Sequence, residues 1–160
     1  MDTVYIETTV VGHLTGRLLS NPIVASRQLT SRAWWSGADG KFKLYISQLV
    51  LDECGDGDRT AATDRLKVIE GIEMLAISAD VDSLAESLMQ RRAVPATEPR
   101  DAFHIAIAAV HGVQYMLTWN FKHIANASLR GHIEQVCREN GFEPPVICTP
   151  DELMGNDNGS

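Results

Sequence analysis

Five short runs rich in β-branched and aromatic residues punctuate the chain, each too short to make a helix: Val4-Tyr5-Ile6, Leu44-Tyr45-Ile46, Leu75-Ala76-Ile77, Tyr115-Met116-Leu117-Thr118-Trp119 and Val146-Ile147-Cys148. Between them lie longer stretches with helical spacing, over residues 22–36, 48–54, 59–70, 79–91, 100–111 and 125–140. A parallel strand pair needs a long crossover, which a helix supplies. The alternation therefore predicts an α/β fold with a mostly parallel sheet of about five strands and helices on both faces. The stretch from Ala102 to Val110 is apolar almost all round and carries alanines at 102, 106, 108 and 109, which predicts a central, closely packed helix.

At 160 residues the chain fits one domain, expected over residues 1–154. The polar, glycine-containing segment 155–160 reads as a flexible tail, and the two prolines of Arg92–Pro99 mark a loop between helices. Fourteen basic against twenty-one acidic side chains leave a net charge of −7, which argues against binding nucleic acid through a general basic surface. A carboxylate metal site would itself make a chain acidic, and its cations would then meet a phosphate. Cys54, Cys137 and Cys148 are odd in number and widely separated, so they read as reduced thiols in cytoplasm. The start Met1-Asp2-Thr3 lacks a basic and apolar leader, and no apolar run is long enough to span a bilayer. The expectation is a cytoplasmic protein without membrane partners.

In open α/β sheets ligands bind beyond the carboxyl ends of the strands. The polar residues expected there are Glu7 after the first strand, Asn120 after the fourth, Glu53 two helical turns beyond the second, and Asp101 at the start of the central helix. Each has a plain alternative. Asp101 suits a helix first turn, Glu53 a solvated helix face, Asn120 a turn or N-cap, and Glu7 an exposed strand end. Taken together, three carboxylates and an amide expected at one edge would repel unless a divalent cation relieved them. Oxygen donors without His or Cys spacing point to Mg²⁺ or Mn²⁺ rather than zinc. An aspartyl-phosphate phosphatase would need Asp-x-Asp where Glu7-Thr8-Thr9 stands, and a phosphoacceptor receiver would need Asp where Ile77-Ser78 stands. Neither a G-x-x-x-x-G-K-[ST] loop nor a G-x-G-x-x-G turn is present.

Four segments in order, Val4–Val10, Ser47–Glu53, Asp101–Ala106 and Leu117–Phe121, resemble the PIN domain, in particular the VapC-type ribonuclease toxins of bacterial toxin-antitoxin pairs. The resemblance spans residue 4 to about 150. It implies a three-layer α/β/α fold and a magnesium- or manganese-dependent endoribonuclease that leaves 5′-phosphate and 3′-hydroxyl ends. By the same resemblance Glu7, Glu53, Asp101 and Asn120 take the catalytic, metal-holding positions, and Thr8, Thr9 and Thr118 support them. The partners it implies are RNA, a small cognate antitoxin covering the acidic site, and a second copy as homodimer. The family most often has Asp where Glu7 stands, and the extra methylene predicts a preference for Mn²⁺, slow turnover or inactivity.

His104, three residues after Asp101 on the same helical face, reads first as a satisfied core histidine, with orienting that acid or a water as the alternative. Lys122, His123 and Arg130 are candidate contacts to an RNA backbone, and Arg91, Arg92 and Arg100 are further ones. Trp34 and Trp35 are adjacent on a helix, so their side chains diverge by about 100°, which predicts either one exposed as a partner or dimer surface or both packed at the edge of the core. Two other readings stay open: a catalytically weak or inactive PIN-fold RNA-binding module, and a metal-dependent hydrolase of small phosphate esters.

Overall fold

A computed structural model describes residues 1–120 and 126–154. The elements run β1 (Asp2–Ile6), α1 (Thr8–Gly12), α2 (Pro22–Ala38), β2 (Phe42–Ser47), α3 (Gln48–Cys54), α4 (Arg59–Val68), β3 (Glu73–Leu75), α5 (Ala79–Gln90), α6 (Pro99–Val110), β4 (Tyr115–Leu117), α7 (Ala127–Glu139), β5 (Val146–Cys148) and α8 (Pro150–Met154). The five strands form one sheet in the order β3-β2-β1-β4-β5, and every pairing is parallel. Val4, Tyr5 and Ile6 are consecutive and all fully buried. Successive strand residues point to opposite faces, so both faces of β1 are covered, which is the mark of a three-layer α/β/α arrangement.

All six helices expected from periodicity form, with ends moved by a residue or two at most positions. The last begins at Ala127, capped by Asn126, and residue 125 lies outside the described residues. Two five-residue helices, α1 and α8, were not expected, being too short to show a period. The third strand is displaced: it occupies Glu73–Leu75, and of the expected Leu75-Ala76-Ile77 only Leu75 belongs to it. It is an edge strand whose register follows β2, with Ser47 opposite Leu75, after which the chain turns into Ser78, the N-cap of α5. β4 also stops early, at Leu117. Beyond it the amides of Trp119 and Asn120 donate to threonine hydroxyls instead of to a neighbouring strand.

The apolar helix α6 buries eight positions from Asp101 to Ala109, and its alanines let it lie close against α5. Its approach is set by the loop before it. Arg92 adopts φ 57°, and the amides of Ala93 and Val94 both donate to the carbonyl of Leu88, closing α5 with a left-handed cap over buried side chains. Trp34 is buried and Trp35 half-buried against the same core, so of the two arrangements open to them the pair takes the edge-of-core one. The three cysteines are free and buried. Among the described residues no helix is long and apolar enough to cross a membrane.

Candidate functional site

The strand order turns back between β1 and β4: from β1 the chain builds outward through β2 and β3, and from β4 outward through β5. The crevice beyond the carboxyl ends of those two strands is where ligands bind in such sheets. Register decides what meets there. Ile6 lies beside Leu117, so the next residues, Glu7 and Thr118, arrive as neighbours.

Glu7 caps α1 and is 4% exposed, not the exposed strand end considered for it. Its Oε1 accepts from the Thr9 amide at 3.1 Å, from the Thr9 hydroxyl, and from the fully buried Thr118 hydroxyl at 2.8 Å. These donors compensate a carboxylate removed from water. Thr9 and Thr118 also accept, from the amides of Trp119 at 2.9 Å and Asn120 at 3.0 Å, so the two threonines pin the start of α1 to the end of β4.

Thr8 reaches the other way. Its hydroxyl donates to Glu53 Oε1 at 2.7 Å, joining the first acid's turn to the last turn of α3. The same oxygen meets His104 Nε2 at 2.6 Å, while Glu53 Oε2 faces the exposed guanidinium of Arg100 at 3.7 Å. Glu53 is thus anchored, with a side chain 17% exposed, and is not on a solvated helix face. Burial alone would push its carboxyl up. The hydrogen bonds from His104 and Thr8, with the electrostatic pull of His104 and Arg100, outweigh this and hold it below the usual glutamate range.

Asp101 stands in the first turn of α6, nearly buried, where the N-cap residue Glu98 makes no side-chain capping bond. Its Oδ1 accepts from the Asn120 side-chain amide at 3.2 Å. Two sets of hydrogen bonds, adjoining at the peptide between Glu7 and Thr8, therefore hold the four acidic-edge residues: Glu7 to Thr118 to Asn120 to Asp101 in one, and Thr8 to Glu53 in the other. They are joined through hydroxyls and an amide, not gathered on a point. Among the described residues no three His, Cys, Asp or Glu side chains stand together as a metal-holding group.

His104 shares a helix face with Asp101, yet its ring lies between Tyr5 and Glu53, so it orients Glu53. Arg130 is half-buried, and its Nη1 donates to the carbonyl of Ile147 in β5 at 3.2 Å. Arg91 pairs with Glu139 of α7. Lys122 and His123 lie outside the described residues. Sequence reasoning missed Tyr5 and Ser47, which back His104 from inside the sheet. The available signal was a tyrosine between Val4 and Ile6 in a strand expected to be buried, since a buried phenol needs a partner.

Searches against family models and against curated proteins give no match to the chain.

Proposed function

We propose that the protein is a divalent-metal-dependent endoribonuclease of the PIN type, resembling VapC toxins and held inactive by a cognate antitoxin. The observation that supports this best is the meeting of Glu7, Glu53, Asp101 and Asn120 beside the crevice between β1 and β4, where hydrogen bonds run from Glu7 through Thr118 and Asn120 to Asp101, and Thr8, the residue next to Glu7, binds Glu53. The donor set suits Mg²⁺ or Mn²⁺: three carboxylates and an amide, oxygen throughout. Those four residues would hold the ion. Once bound, it supplies the positive charge that polarises a phosphodiester and activates water for hydrolysis.

The chain's own groups do the positioning. Glu7 Oε1 takes three protein donors, and Oε2 stands outside those bonds as the oxygen for a cation. Thr8 and His104 hold Glu53, and Asn120 holds Asp101. Arg100, exposed at the rim beside Glu53, is placed to meet a backbone phosphate.

A second reading, an RNA-binding module whose metal site is too weak for cleavage, is favoured by one observation: the carboxylates are linked, not converged. Purified protein incubated with single-stranded RNA in Mn²⁺ or Mg²⁺ separates the two. Cleavage that disappears in Asp101→Ala supports the nuclease, whereas RNA retention without cleavage supports the binding module. Turnover of a small phosphate ester in place of RNA would sink both. Millimolar Mn²⁺ should also raise the melting temperature, and Glu7→Gln should shrink that rise.

A further inference from the structure

Tyr5 sits fully buried in β1 between Val4 and Ile6, and a phenol there must find its partners inside the protein. It has two, Ser47 Oγ at 2.8 Å and His104 Nδ1 at 2.7 Å. His104, 1% exposed, meets Glu53 Oε1 with its other ring nitrogen. Ser47, fully buried at the N-cap of α3, accepts the Val50 amide proton. The helix that carries Glu53 at its far end is thus fastened at its start to the same group that backs His104.

Counting donors and acceptors places the protons. An ionised Glu53 only accepts, so Nε2 carries a hydrogen. Were Nδ1 protonated as well, it would donate to Tyr5, Tyr5 would turn its proton to Ser47, and the Ser47 hydroxyl proton would find no acceptor among the described residues. With Nδ1 bare, Ser47 donates to Tyr5, Tyr5 donates to Nδ1, and every proton is used.

We propose that Tyr5 is a positioning residue: its hydroxyl, aligned by Ser47, holds His104 as the Nε2–H donor that locks Glu53 Oε1 and leaves Oε2 on the Arg100 side of the crevice. The geometry stands without the metal, but its consequence rests on the nuclease reading above, in which Glu53 is one of the ion's ligands. Partners behind a ligand typically change metal affinity by about 10–100-fold when removed.

The test is ¹⁵N NMR of the His104 ring in the full chain, assigned by comparison with His104→Gln, together with Mn²⁺ titration. The native ring should show hydrogen on Nε2 and none on Nδ1. Tyr5→Phe, which removes one oxygen and keeps the ring, should lose the slowly exchanging Nε2–H signal and weaken Mn²⁺ binding about tenfold. Ser47→Ala should move both readouts the same way by less, and it serves if Tyr5→Phe does not fold. Hydrogen on Nδ1 in the native chain overturns the proposal. So does a persisting Nε2–H signal in Tyr5→Phe, or unchanged Mn²⁺ affinity there when the native chain binds the ion. If the native chain binds no Mn²⁺ while Tyr5→Phe still releases the Nε2–H, the relay stands and the metal reading falls.

Discussion

Replacing Thr118 with valine tests the joint on which the acidic edge turns. Valine keeps the shape and the β-branch of a fully buried side chain and removes only its hydroxyl. Three contacts go with it: the donor to Glu7 Oε1 at 2.8 Å, the acceptor for the Asn120 amide at 3.0 Å, and a long contact with the Thr9 hydroxyl at 3.4 Å that adds little. A hydrogen bond to a charged group contributes about 1.5–3 kcal/mol, and an orphaned amide costs about 1–3 kcal/mol. Glu7 keeps both donors from Thr9, and Asn120 is only half-buried, so the low ends of these ranges apply. The expected loss is about 3 kcal/mol, roughly 6–12 °C in melting temperature for a chain of this size. Urea unfolding measures it, with Thr60→Val on the exposed face of α4 as the control, expected within about 0.5 kcal/mol of wild type. Combining Thr118→Val with Glu7→Gln should give a loss smaller than the sum of the two, because the variants share a bond. A loss under about 0.5 kcal/mol for Thr118→Val, or strict additivity with Glu7→Gln, would refute the assignment of Thr118 as the joint.

The buried thiols set a limit at high pH. Burial pushes Cys148 up to about 12, and Cys54 and Cys137 to about 11, from an ordinary value of 9.0. Folded-state values above the unfolded ones mean that the stabilisation is whole below pH 9 and drains away as pH rises toward 11 to 12. Each thiol should contribute a slope of about 1.4 kcal/mol per pH unit in that window, and Cys148→Ala should flatten the alkaline limb; parallel limbs would contradict this. Arg32 donates to the carbonyls of His13, Thr15 and Gly16, clamping the segment between α1 and α2. Arg32→Met should cost about 1.5–3 kcal/mol and speed amide exchange over residues 13–19, while unchanged exchange would show that the clamp carries no stability.

Much of the site was readable from the letters because its residues follow strand ends, and strand ends are legible from short apolar runs. Glu7 after Val4-Tyr5-Ile6, Glu53 two turns into α3 and Asp101 after Pro99 all stand where the pattern put them. Their partners were not readable. His104 lies one turn from Asp101 along its own helix, and spacing within a helix says nothing of the strand residue behind it. Arg130 followed the site in sequence, yet its guanidinium reaches a backbone carbonyl of β5, a partner that sequence order does not show.

The sequence by itself determined the alternation of elements, the parallel sheet and the chain order of the acids, because periodicity and crossover length are properties of neighbouring residues. The tertiary structure decided which acid meets which hydroxyl. It set β1 beside β4, so that Glu7 meets Thr118, and laid α6 over β1, so that His104 reaches Tyr5 and Glu53. Those pairings depend on register between segments about a hundred residues apart, and burial then makes each of them obligatory.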